Sequence, residues 1–161
     1  MNCLIVDDEE AQRMMMRNFI SRIKLPKLEI IKEFDNPQDT LSFLKENSGD
    51  IPIDIIFLDH HMEKMTGLQL VEELKKQKIF PQIILITTEK VLGTDAFDYD
   101  LTDYIVKPVD YDRFYRAIIR AQNKTSQDFM VSKNETSLYV KSDNKIIQVQ
   151  IKSIYYIEAL S

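Results

Sequence analysis

Three glycines, one cysteine and no tryptophan stand among the 161 residues. With only Gly49, Gly67 and Gly93 available, folds that turn repeatedly on glycine are excluded. Neither a GxxxxGK(S/T) phosphate loop nor a GxGxxG dinucleotide fingerprint can be written. Cys3, being alone, excludes a disulfide framework within the chain and argues for a reducing compartment. No apolar run approaches the roughly 18 residues that span a bilayer, and no signal-peptide pattern opens the chain. A cytoplasmic protein with no membrane partner is expected. Basic charge is in deficit: 21 Lys and Arg against 26 Asp and Glu leave a net charge of -5. That disfavours nonspecific nucleic-acid binding across the whole surface. The acidic excess lies in residues 1–123, whereas 124–161 carries a slight basic excess.

Two kinds of segment alternate through the first three quarters of the chain. Short apolar runs occur at Cys3–Val6, Ile53–Leu58, Ile83–Ile86 and Tyr104–Val106, with a weaker one at Leu28–Ile31. Such runs suit strands buried on both faces, as in a parallel sheet. Between them lie helical patterns. Ala11, Met15, Met16, Phe19, Ile20 and Ile23 share one stripe. Asn36-Pro37 opens a second helix through Leu41 and Leu44, and Leu70, Val71 and Leu74 mark a third. Residues 90–98 form a short fourth. Asp110 caps a fifth carrying Phe114, Ala117, Ile118 and Ala121. The order predicts an α/β fold with a doubly wound, five-stranded parallel sheet. Asn123–Asp128 is polar and reads as a linker. Phe129–Lys133, Ser137–Lys141, Lys145–Ile151 and Ile154–Ile157 then read as short strands, with a hairpin turn at Ser142–Lys145.

In an open parallel sheet, ligands bind beyond the carboxyl ends of the strands. The first strand ends in Asp7-Asp8, the third in Asp59, the fourth in Thr87-Thr88 and the fifth in Lys107-Pro108. Taken singly, each is more often structural: an acidic pair caps a helix, a Thr ends a strand, a Lys-Pro makes a solvated turn. Together they bring three carboxylates, a hydroxyl and an ammonium to one edge. Converging carboxylates need a cation, and a hard oxygen-rich site suits magnesium. One carboxylate can act as a nucleophile toward phosphorus. Lys107 and the metal would then neutralise the arriving phosphoryl charge, and Thr87 would hydrogen-bond it.

These four motifs, in this order and spacing, resemble the receiver domain of bacterial two-component response regulators. Leu4–Glu9 is similar to the family's opening acidic motif. Asp59, followed by Met62 and Gly67, is similar to its phospho-acceptor loop. Thr87 and Lys107-Pro108 supply the remaining signatures. The resemblance covers about residues 1–123 and implies a flavodoxin-like receiver. It implies that Asp59 accepts a phosphoryl group from a sensor histidine kinase. Asp8, Asp59 and the backbone carbonyl of His61 would hold Mg2+, with Asp7 acting through metal-bound water. It further implies that Lys107 contacts the phosphoryl group and pairs with Asp59 beforehand, and that Thr87 and Tyr104 move together as a switch. A signalling switch with self-phosphorylation and slow autodephosphorylation follows, and a cis Lys107–Pro108 bond. His61 and Glu89 occupy the two positions that tune phosphoryl lifetime in receivers.

The chain departs from the family at Glu63, where Pro is usual. The added carboxylate either points to solvent or modifies cation and donor approach. His60-His61 suggests a transition-metal site, but adjacent residues of an extended chain point opposite ways. Met14–Met16 reads as core and edge packing, and Cys3 as an inert apolar residue.

Asp95–Tyr104 resembles one receiver subclass, whose members carry a LytTR-type DNA-binding domain. Tyr139–Asp143 and Ile151–Ala159 resemble that domain's opening strands. The expected organisation is a receiver at 1–123, a linker at 124–128 and a LytTR-type fragment at 129–161, truncated at Ser161. Transcription control would belong to a full-length parent, with DNA a partner only there. Residues 90–120 correspond to a face through which many receivers form homodimers on phosphorylation, with Arg113, Arg116 and Arg120 near Asp100 and Asp103. Two other functions compete. One is a stand-alone receiver acting through protein contacts. The other is a magnesium-dependent aspartyl-phosphate phosphatase, which often shows Asp-x-Asp where this chain has His61 two residues after Asp59.

Overall fold

The computed structural model describes residues 1–47, 51–88, 99–132, 137–142 and 145–150. Its first unit, Met1–Gln122, contains β1 (Asn2–Val6), α1 (Glu10–Arg22), β2 (Glu29–Phe34), α2 (Pro37–Glu46), β3 (Ile55–Asp59), α3 (Gly67–Lys76), β4 (Gln82–Thr87) and β5 (Asp103–Val106). The helix that follows, here α4, runs Tyr111–Ser132. The strands form one parallel sheet in the order β2-β1-β3-β4-β5. This is the predicted doubly wound arrangement. Its chain reversal lies between β1 and β3, so the crevice opens where those two strands end.

Two apolar clusters cover the sheet. Cys3, Ile5, Ile55, Phe57, Ile84, Ile86 and Ile105 face α1 and α4, meeting Met16, Ile20, Phe114, Ala117 and Ile118. Leu4, Val6, Ile56, Leu58, Ile83 and Leu85 face α2 and α3, meeting Leu44, Leu70, Val71 and Leu74. Strands buried on both faces explain the unbroken apolar runs at β1, β3 and β4. Of the first helical stripe, Met16, Ile20 and Ile23 are buried, Met15 and Phe19 pack half-buried against the cluster, and Ala11 is exposed.

The edge strand β2 is longer than expected. It reaches Phe34, beyond the predicted Leu28–Ile31, because a strand paired on one side only tolerates Lys32 and Glu33. At α2, Asn36 accepts the Asp39 N–H at 2.8 Å with Pro37 in the first turn, and at α4 Asp110 accepts from Arg113 N at 3.1 Å, both as predicted. Lys107–Pro108 is cis, and so is Leu25–Pro26.

The second unit, Asn123–Ser161, begins inside α4. The expected linker at 124–128 and strand at 129–133 are corrected, since the helix continues to Ser132. Polarity alone does not end a helix, and Asn123–Ser132 holds neither Gly nor Pro to break it. β6 (Ser137–Ser142) and β7 (Lys145–Gln150) pair antiparallel, with Ser142 opposite Lys145. The predicted helix at 90–98, Glu89 and the strand at 154–157 lie outside the described residues. Among the described residues, no helix is long and apolar enough to cross a membrane.

Candidate functional site

Each acidic side chain is delivered by the end of a central strand. The ladders of β1 stop at Val6, paired with Phe34 on one side and Leu58 on the other. Asp7 and Asp8 are therefore the first residues past the sheet. Asp59 closes β3 beside Ile86 of β4. One carboxylate oxygen from each of Asp7, Asp8 and Asp59 lies within 4.8 Å of the others. Asp7 is fully buried, Asp59 nearly so, and Asp8 exposed.

Lys107 reaches in from the end of β5. Its Nζ stands 2.6 Å from Asp59 Oδ1 as a charge contact without the alignment of a hydrogen bond. It donates a hydrogen bond to Asp7 Oδ2 at 3.2 Å and lies 3.7 Å from Glu9 Oε1. The Lys107 N–H donates to Thr87 O at 2.7 Å, which ties this loop to the end of β4. Burial works against the Lys107 charge. The facing carboxylates of Asp59 and Asp7 outweigh it and raise the ammonium above its ordinary range, so it stays protonated.

The carboxylates show the opposite balance. Burial pushes Asp7 up to about 6, helped by the charge of Asp59 and resisted by the Glu9 N–H and Lys107. Burial also raises Asp59, against the pull of Lys107. One ammonium does not compensate three carboxylates. The site stores unsatisfied negative charge, and that is the observation a divalent cation fits. Its donors are hard oxygens in a half-open cluster, the set that suits Mg2+ with waters completing the shell.

The loop that follows Asp59 is held by backbone contacts. His60 N donates to Ile86 O at 2.8 Å, and Gly67 N donates to His60 O at 3.0 Å. A Cβ at Gly67 would overlap the Asp59 carbonyl oxygen and stand 3.1 Å from His60 Cα and Leu85 Cδ1. Glycine is required there because α3 starts against the backbone of Asp59 and His60. Thr66 and Gln69 then form a reciprocal capping box, with Thr66 N donating to Gln69 Oε1 at 2.9 Å. The Thr-x-x-Gln spacing is the sequence signal of this box. No such spacing marks Arg13, which reaches the Asp7 carbonyl from α1.

Thr87 is fully buried at the end of β4, and Tyr104 is half-buried on β5 against the α2–α3 cluster. His60 is buried and His61 exposed, their rings in edge contact at 4.6 Å. Glu63 is exposed. Of the three arginines expected near Asp100 and Asp103, two converge on buried Asp103. Arg113 grips it with contacts of 2.8 and 2.6 Å, and Arg120 lies at 3.0 Å. Arg116 instead donates to Asp112 O at 3.3 Å.

A five-stranded 2-1-3-4-5 parallel sheet, with an acidic trio and a lysine at its carboxyl edge, defines a receiver. The chain belongs to the response regulator receiver domain family, whose model matches residues 3–119. It is similar to the sensory transduction protein LytR of Staphylococcus haemolyticus, 26% identical over 167 residues, covering 98% of this chain and 63% of that protein. It is 30% identical over 164 residues to the sensory transduction protein LytT of Bacillus anthracis, covering 96% and 64%. The chain thus spans less than two thirds of these curated relatives. Among solved structures, the response regulatory domain of mrkE from Klebsiella pneumoniae matches with a TM-score of 0.68 and 28% identity, covering 79% of this chain and 99% of that one.

Proposed function

We propose that Asp59 is the phospho-acceptor of a two-component switch and that a sensor histidine kinase is its donor. The contact of Lys107 Nζ with Asp59 Oδ1 at 2.6 Å, beside the acidic trio, carries this reading. An Asp59 oxygen attacks the phosphorus of a phosphohistidine. The new O–P bond forms as the N–P bond breaks, and the released imidazole takes a proton from water. Lys107 holds the carboxylate in place beforehand and offers its charge to the incoming oxygens. Asp8 and Asp59, with the His61 carbonyl, would hold Mg2+ directly, and Asp7 would act through bound water. When bound, the metal neutralises carboxylate and phosphoryl oxygens together. The Thr87 hydroxyl bonds the phosphoryl group, and Tyr104 follows it as the switch. His61 sets water access to the phosphoryl group from the open side of the loop, together with Glu89.

Incubation with acetyl phosphate and Mg2+ tests the assignment. The chain gains one phosphoryl mass and shifts on a phosphate-affinity gel. Asp59→Asn abolishes both, and labelling that persists in this variant refutes Asp59 as acceptor.

The names of the relatives, and the hairpin β6–β7, support a LytTR-type output following the receiver. In that reading the whole protein is cytoplasmic and regulates transcription, with DNA bound by the output domain. Phosphorylation drives homodimerisation through residues 90–120. Sedimentation that is unchanged by beryllofluoride would count against the dimer.

A further inference from the structure

Arg13 occupies the fourth position of α1, near the end where the helix dipole disfavours a cation. Its place is explained by what the guanidinium touches. Asp7 N donates to Phe34 O at 3.1 Å, so the Asp7 amide is held by the neighbouring strand. The Asp7 carbonyl lies beyond the last ladder pair, and it accepts from Arg13 Nη1 at 2.6 Å. Its donor is a guanidinium, so the bond is charge-assisted.

The guanidinium is itself fixed from behind. Its Nη2 pairs with Glu10, and its Nε lies 3.9 Å from Glu33 Oε2. Arg17 binds both acids again, at 2.7 Å to Glu10 Oε1 and 2.7 Å to Glu33 Oε2. Two arginines and two glutamates thus close a network between α1 and β2. Arg13 is its most enclosed member, with 14% of its side chain exposed.

The peptide plane explains the consequence. The Asp7 carbonyl and the Asp8 amide belong to one rigid unit. Holding the carbonyl fixes that plane, and with it the Asp8 Cα and the N–Cα axis about which its side chain is carried. Asp8 is exposed, so its carboxylate is aimed by its backbone. Repulsion from Asp7 and Asp59 would otherwise turn it outward.

We propose that Arg13 is a positioning residue for cation binding: by fixing the Asp7–Asp8 peptide it keeps the Asp8 carboxylate turned toward Asp59. This rests on reading Asp7, Asp8 and Asp59 as the divalent-cation site. Outer contacts of this kind typically change metal affinity by about 10–100-fold when lost.

The test measures binding on the full chain, with Mn2+ followed by electron paramagnetic resonance and Mg2+ added as competitor. Arg13→Met, which keeps the apolar stem, weakens Mn2+ by about tenfold. Arg13→Lys recovers part of the loss, because an ammonium can still reach the Asp7 carbonyl. Glu33→Gln loosens the α1–β2 network but leaves the Arg13–Asp7 bond, so affinity stays within about twofold of the parent while stability falls. Parent-like affinity in folded Arg13→Met overturns the proposal. So does Glu33→Gln weakening Mn2+ as much as Arg13→Met, since the network alone would then set affinity. If circular dichroism shows Arg13→Met unfolded, Arg13→Ala decides, and its binding Mn2+ like the parent overturns the proposal. Asp8→Asn separates the two levels. If the parent binds Mn2+ no better than Asp8→Asn, the cation site itself fails and Arg13's role with it. If the parent binds better but Arg13→Met matches it, only the role of Arg13 fails.

Discussion

Asp7→Asn should stabilise the metal-free protein. Asp7 is fully buried, and its carboxyl is pushed from 3.8 to about 6 by burial and by Asp59. A carboxyl raised in the folded state binds its proton more tightly there. That contribution is complete below pH 3.8 and is lost as pH rises through about 6. Near neutral pH the folded chain carries the full penalty, about 3 kcal/mol at ~1.4 kcal/mol per pKa unit. Asparagine removes the charge and can still accept the Glu9 N–H that Asp7 Oδ1 accepts at 2.9 Å. Its amide would face Lys107 donor to donor, which takes back about 1 kcal/mol. The net gain is about 2 kcal/mol, or roughly 6 °C in Tm for a chain of this size. Urea and thermal melts in EDTA read it directly. The gain should be full above about pH 6 and vanish by about pH 4. Excess MgCl2 should reverse the order, because the parent binds the cation better and gains more from mass action. An Asn variant no more stable than the parent in EDTA, or a gain that persists in acid, would refute the reasoning.

Lys107→Met leaves Asp7 and Asp59 facing each other without an ammonium, so stability in EDTA should fall by about 3 kcal/mol and recover in part with Mg2+. A loss that Mg2+ does not touch would place the effect in packing. Gly67→Ala forces the start of α3 away from the Asp59 carbonyl, which should cost about 2–3 kcal/mol and slow acetyl-phosphate labelling. Normal labelling at parental stability would show that the loop gives way freely. Asp103→Asn removes the charge gripped by Arg113 and Arg120. Discounted for the exposure of both arginines, about 1–2 kcal/mol should be lost in a urea melt, and less in high salt. Cys3 is fully buried, with its thiol pushed up to about 12 by burial, so a disulfide reagent should label it only at the rate of unfolding. Fast labelling of the native chain would contradict the packing of β1.

The fold was legible where burial is two-sided. β1, β3 and β4 are apolar on both faces, and an unbroken run leaves no other economical reading. β2 was half-legible, because an edge strand with Lys32 and Glu33 loses the run that marks its neighbours. The polar residues after Gln122 hide the continuation of α4 to Ser132, although Asn123–Ser132 holds neither Gly nor Pro to end a helix. At the site, Asp7, Asp8, Asp59 and Lys107 could be named because strand ends converge by topology. Arg13 could not, since its role depends on a side chain crossing from α1 to a carbonyl, and no spacing rule encodes that. The convergence of Arg113 and Arg120 on Asp103 was visible only as a charge pattern. The grip itself required the register that sets Asp103 opposite Ile84.

The acidic edge is electrostatically unfavourable, and it sits on closely packed central strands. Three carboxylates with one ammonium repel, so isolated loops carrying them would splay. Here Asp7 and Asp59 extend β1 and β3, two of the three strands paired on both sides, whose residues Cys3–Val6 and Ile55–Leu58 are wholly buried. Any outward movement of the carboxylates must drag the middle of the sheet against close-packed side chains on both faces, where even small displacements are costly. Lys107 and Arg13 come from β5 and α1, on either side of those two strands, and hold the side chain and the carbonyl of the same Asp7. The repulsion is therefore confined rather than relieved. A confined repulsion makes the site responsive, because a cation or a phosphoryl group that changes the local charge meets side chains already held at the position where that change acts.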